Sequence, residues 1–77
     1  MTEDRLIHEV SEIFGRVLDE DDITAESDFF ALGGDSLLAT RIISAVARRY
    51  GVELTFEEFL LAPTPAMVAK RIESLGP

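Results

Sequence analysis

No cysteine occurs in the 77 residues, which excludes disulfide stabilisation, thiolate catalysis and the usual zinc sites while leaving the redox compartment open. Histidine occurs once, at His8, so a serine elsewhere has at most one imidazole to activate it. Bases are scarce, seven against fifteen acids, and the net charge of −8 repels nucleic-acid phosphates and anionic lipid surfaces. Neither nucleic acid nor membrane is expected as a partner, and basic protein surfaces are better candidates. No apolar run reaches the roughly 18 residues of a membrane span, and the opening MTEDRLIHEV is acidic where a secretory signal is basic. A cytoplasmic location is expected. Internal repeats, low-complexity stretches and strand-type alternation are missing as well, which turns attention to helices.

What is present is enough for one domain, residues 1–77, built on one modest core: 47% of the chain is hydrophobic and spread along its length. Met1 at the front and the lack of linker sequence favour a free-standing protein over a domain excised from a larger one, and a monomer is expected. Leu6, Ile7, Val10, Ile13, Phe14, Val17 and Leu18 recur at helical spacing within about 140° of arc, with Thr2 as N-cap, Glu3 and Asp4 complementing the dipole, and His8 facing water. Asp19 to Asp35 lacks periodicity and reads as a long loop anchored by Ile23, Phe29, Phe30 and Leu32. Seven acids and no base fall in it, for which solubility is the simplest explanation. A second helix runs from Ser36 to Tyr50, burying Leu38, Ala39, Ile42, Ile43, Val46 and Tyr50, and Gly51 stops it. TFEEFLL predicts about two turns of helix capped by Thr55 and Glu58, with Phe56, Phe59 and Leu60 on one face. Thr64 and Pro65 open a last helix whose core stripe is Val68, Ile72 and Leu75, ending by Gly76-Pro77. The fold class is all-α: three main helices, one short one, and a long first loop.

The stretch DFFALGGDSLLATRI, Asp28 to Ile42, concentrates the functional signal. Ser36 could simply cap a helix, worth roughly 1 kcal/mol, and Asp35 beside it could do the same. Leu37 is harder to dismiss: the helical wheel sets it opposite the buried face, on an outward strip with Arg41, Ser44 and Arg48 and with Thr40 at its edge. An exposed leucine following a Gly-Gly loop is a candidate contact for another protein. Gly-Asp-Ser-Leu is also the nucleophile block of a family of serine esterases, but such chemistry needs a base within reach of the serine, and His8 lies upstream on the water side of the first helix. Asp19, Asp21 and Asp22 do not make a calcium loop, since Ile23 and Thr24 stand at the fifth and sixth positions, where an oxygen ligand and a glycine are needed. No metal site and no catalytic residue are expected, and the arginines form no basic recognition helix for DNA.

With those residues in view, the chain resembles the phosphopantetheine-dependent carrier domains. It is most similar to the peptidyl carrier (thiolation) domains of nonribosomal peptide synthetases. Leu32-Gly33-Gly34-Asp35-Ser36-Leu37 carries the likeness, with the Asp28-Phe29-Phe30 loop and the APTPAMVAKRI last helix extending it over nearly the whole chain. The resemblance implies a non-catalytic carrier on which a phosphopantetheinyl transferase, with magnesium and coenzyme A on its side, attaches 4′-phosphopantetheine to Ser36. Gly33 and Gly34 would keep the approach to Ser36 low and flexible, and Asp35 matches the family's acid before the serine. The arm would hold an aminoacyl or peptidyl group as a thioester, loaded by an adenylation enzyme or domain and passed to condensation, tailoring or thioesterase enzymes. Two alternatives stand beside it: an acyl carrier for polyketide or fatty-acyl chains, and an unmodified helical interaction module. In acyl carriers another residue more often replaces Gly34 and acids line the second helix, where this chain has Arg41, Arg48 and Arg49; the peptidyl reading is favoured.

Overall fold

Amphipathic periodicity and well-placed caps translate directly into helices. The described residues form α1 (Thr2–Leu18), α2 (Ser36–Tyr50), α3 (Phe56–Leu60) and α4 (Pro65–Leu75), in a computed structural model that describes residues 2–76 and side chains from Asp4 onward. The cap expected of Thr2 and the dipole contribution of Glu3 lie outside the described side chains, and Pro77 lies outside the described residues. α1 packs on α4 and α2, and α2 on α3. Where they meet, Val10, Ile13 and Phe14 of α1 join Ala39, Ile42 and Val46 of α2, Phe59 of α3, and Val68, Ala69 and Ile72 of α4.

The caps explain where each helix starts and stops. Thr55 and Glu58 close a reciprocal capping box at α3, and Thr64 accepts the Met67 N–H one residue before Pro65 at α4. Gly51, in the left-handed region at φ 69°, ends α2 and returns its N–H to the Ala47 carbonyl. α1 ends on a device the sequence did not announce: Asp19 takes φ 57°, and the Glu20 N–H reaches back to the Gly15 carbonyl at 2.9 Å. That six-to-one bond is a Schellman closure, with aspartate in the place glycine usually holds.

The long loop is tied to the far side of the bundle. The Phe29 N–H donates to the Pro63 carbonyl at 2.8 Å and the Ala66 N–H to the Ala25 carbonyl at 3.1 Å. Phe29 is fully buried and meets both Phe14 and Phe59 edge-on, with centroids 6.2 and 4.9 Å away, distances at which aromatic pairs add to simple burial.

Four expected core positions are exposed instead. Phe30 is 43% exposed, stacked edge-to-face on Phe29, because neighbours on one turn cannot both point inward. Phe56 and Leu60 flank Phe59 at the surface: α3 is five residues long and packs chiefly on α2, so one side chain fills its contact. Leu75 lies in the last turn of α4 and is 45% exposed.

Candidate functional site

The approach to Ser36 is a single tight turn. Asp28 Oδ1 accepts the Phe30 N–H, the Leu32 N–H returns to the Asp28 carbonyl, and the N–H groups of Gly33 and Gly34 return to Phe30 and Phe29. Gly33 has φ 91° and open space around it, a conformation side chains rarely adopt. Gly34 differs: its backbone is ordinary, but a Cβ there would stand 2.3 Å from the Phe29 ring. The expected flexible approach is therefore corrected at Gly34, where the missing side chain lets the loop close on a buried aromatic.

Asp35 leaves this turn extended (φ −133°, ψ −175°), and its Oδ1 accepts the Leu38 N–H at 3.0 Å. Sequence left the cap open between Asp35 and Ser36; the geometry gives it to Asp35. Ser36 becomes the first helical residue, exposed, with no hydrogen bond to its hydroxyl among the described residues. Its carbonyl accepts from the Thr40 hydroxyl at 2.9 Å. His8 stands beside Glu12 on α1, 3.4 Å away, and no hydrogen bond joins it to Ser36.

The first-turn N–H groups of Ser36 and Leu37 have no acceptor among the described residues. A negative group joined to the Ser36 oxygen would meet free donors at the positive end of the α2 dipole. The residues present thus fit a phosphodiester.

Leu37 is 61% exposed, as the helical phase required. The rest of its strip does more than face water: Thr40, Arg41, Ser44 and Arg48 line a groove between α2 and α1, together with Ile13, Arg16, Val17 and Ala45. Leu37 is not among the lining residues. Sequence reasoning missed Arg16. On the α1 wheel it lies about 60° beyond Ile13, on the solvent side, where periodicity gives no reason to single it out.

A small helical bundle with a bare serine hydroxyl at the start of its second helix has the architecture of a carrier protein. The chain belongs to the phosphopantetheine attachment site family, whose model matches residues 4–72. It is 43% identical over 65 residues to the probable non-canonical nonribosomal peptide synthetase CymA of Salinispora arenicola, covering 84% of this chain and 1% of that protein. Among solved structures it resembles BlmI, a type-II acyl-carrier protein from Streptomyces verticillus involved in bleomycin biosynthesis (TM-score 0.88, 26% identity, 95% of this chain and 88% of that one). It also resembles a chain in the complex of the phosphopantetheine transferase Sfp with coenzyme A and a peptidyl carrier protein (TM-score 0.86, 30% identity, 90% of each chain). The chain spans between 1% and 4% of the length of the curated relatives CymA, PchE and the Alternaria brassicicola synthetase. Phosphopantetheine is accordingly its cofactor, and its role is that of a carrier domain of the peptidyl type.

Proposed function

We propose that Ser36 is the attachment point and that the chain carries aminoacyl or peptidyl intermediates in nonribosomal peptide-type biosynthesis without catalysing a step itself. One observation supports this above others: because Asp35 caps α2, the Ser36 hydroxyl is relieved of structural duty and stands free. The Ser36 oxygen bonds to the pantetheine-side phosphorus of coenzyme A as the pyrophosphate linkage breaks; the adenosine bisphosphate half leaves, and a base on the transferase takes the hydroxyl proton. The α2 N–H groups and dipole favour the phosphodiester's negative charge once formed. When bound, the arm supplies a terminal thiol that holds cargo as a thioester.

The partners follow from this role: a phosphopantetheinyl transferase, an adenylation enzyme or domain, and downstream condensation, tailoring or thioesterase enzymes. Leu37, Thr40, Arg41, Ser44 and Arg48 form the docking strip, since they run along α2 from Ser36 outside its buried residues. Tethering replaces a scarce free intermediate by a presented one, and the weak, brief contacts of a shuttle suit a surface of exposed side chains.

Loading of the phosphopantetheinylated chain tests the cargo class. With ATP and an amino-acid adenylation enzyme it should gain an aminoacyl mass released by hydroxylamine. Loading by malonyl or fatty-acyl transferases alone would move it to the acyl carriers.

A further inference from the structure

The chain carries seven bases against fifteen acids, and all three arginines outside the α1–α2 groove are paired with carboxylates. Arg5 and Arg49 stand 3.5 and 3.7 Å from Glu9, and Arg71 is bonded to Glu58. Arg16, Arg41 and Arg48 are not: among the described residues none lies within ion-pair distance of a carboxylate. All three line the same groove, about 510 Å³ in volume, with Ile13, Val17 and Ala45. In a protein of net charge −8, three unneutralised guanidiniums brought together from two helices call for an acceptor.

We infer that this groove receives an acidic, amphipathic polypeptide segment of a partner, with carboxylates on Arg16, Arg41 and Arg48 and an apolar side chain over the half-buried Val17 and Ala45. The assignment rests on the carrier reading for its purpose, since Thr40 at the groove's edge is bonded to the Ser36 carbonyl and an occupant would lie beside the attachment point. The chemistry favours polypeptide over polyanion. Apolar residues among the arginines suit a side chain and not a phosphate, and the overall negative charge repels nucleic acid and anionic lipid at longer range. Arg41 and Arg48 are two turns apart, about 10 Å by helical rise, a spacing that carboxylates two turns apart on a partner helix reproduce. Arg16 also borders a second groove carrying Glu12, Asp19, Glu20 and Asp21. Those acids would repel an acidic segment that slid out of register, so the site has a defined edge.

The test is an amide-shift titration of the ¹⁵N-labelled chain with a synthetic 16-residue helical peptide bearing glutamates along one edge of a leucine stripe. Its isomer with every glutamate replaced by glutamine is titrated in parallel. Shifts should map to Arg16, Thr40, Arg41, Ser44 and Arg48, weaken with salt, and be much smaller for the glutamine peptide. Arg16→Glu and Arg41→Glu, each turning an attraction into a repulsion, should weaken binding about tenfold. Equal binding of both peptides, shifts centred on α3 and α4, or equal shifts with a duplex oligonucleotide at the same ionic strength would overturn the assignment. Attachment of the arm to the unsubstituted chain separates the two claims. A wild-type chain that is modified at Ser36 but blind to the peptide defeats the groove alone; one that binds the peptide but is never modified defeats the carrier reading and leaves the groove standing.

Discussion

At its C-terminal end α2 is tied down on several sides. The Tyr50 hydroxyl donates to Glu9 Oε1 at 2.8 Å, Arg49 stands 3.7 Å from the other Glu9 oxygen, and Gly51 closes the helix on Ala47. At its N-terminal end, among the described residues, the one side-chain bond to the first turn's N–H groups is the Asp35 cap, and Ser36 makes none through its hydroxyl. Both ends are well placed, but by different means. The far end is fixed by bonds from its own side chains, while the serine end is fixed from behind, by Phe29 buried under Gly34 and hydrogen-bonded to Pro63. A hydroxyl can be positioned and still left unengaged when its neighbours carry the positioning.

The largest effect should come from removing that support. Phe29→Ala is expected to destabilise the domain by about 3–5 kcal/mol, read from urea unfolding. The milder Phe29→Leu should keep the fold and slow attachment of the arm. If Phe29→Leu is modified at the wild-type rate, the serine end is not held through this ring.

Next in size is Gly34→Ala, whose methyl would overlap the Phe29 ring and should cost about 1–3 kcal/mol. Combining it with Phe29→Leu should recover part of that loss. Additive losses in the double variant would show that Gly34 and Phe29 act independently.

At the tied end, Tyr50→Phe should cost about 0.5–1.5 kcal/mol and leave arm attachment unchanged. Burial, then the hydrogen bond and charge of Glu9, push Tyr50 up to about 12 from its ordinary 10.0. The folded state therefore holds this proton more tightly than the unfolded one. The stability so linked is complete below pH 10.0 and is lost as pH rises through about 12. The alkaline fall in unfolding free energy should be shallower in Tyr50→Phe.

The smallest effects distinguish the cap from the proposed attachment serine. Asp35→Ala should lose about 1 kcal/mol, while Ser36→Ala should change stability by only a few tenths. Equal losses at both positions would return the capping role to the serine.

Much of this was legible in the sequence, for physical reasons visible at particular residues. Thr55, Thr64 and Gly51 are local devices whose chemistry is complete within a few residues, so the starts of α3 and α4 and the end of α2 could be read directly. Helical phase likewise put Leu37 outside and Ile42 inside. What could not be read depended on where another element stops. Phe30, Phe56, Leu60 and Leu75 are apolar and correctly phased, yet nothing packs fully over them. Aspartate and serine are near-equal caps, so one residue of register at the start of α2 had to be decided by geometry. Arg16 joined the site only when α1 was laid beside α2.

The measurement closest to the central claim is intact mass after incubation with coenzyme A and a broad-specificity phosphopantetheinyl transferase, run on the wild-type chain and on Ser36→Ala side by side. The wild type should gain one arm and the variant none, with thermal midpoints nearly equal, which would show that the hydroxyl is lost without the fold. An arm on Ser36→Ala, or a wild type that stays unmodified under conditions that modify a known carrier, would contradict the assignment of Ser36.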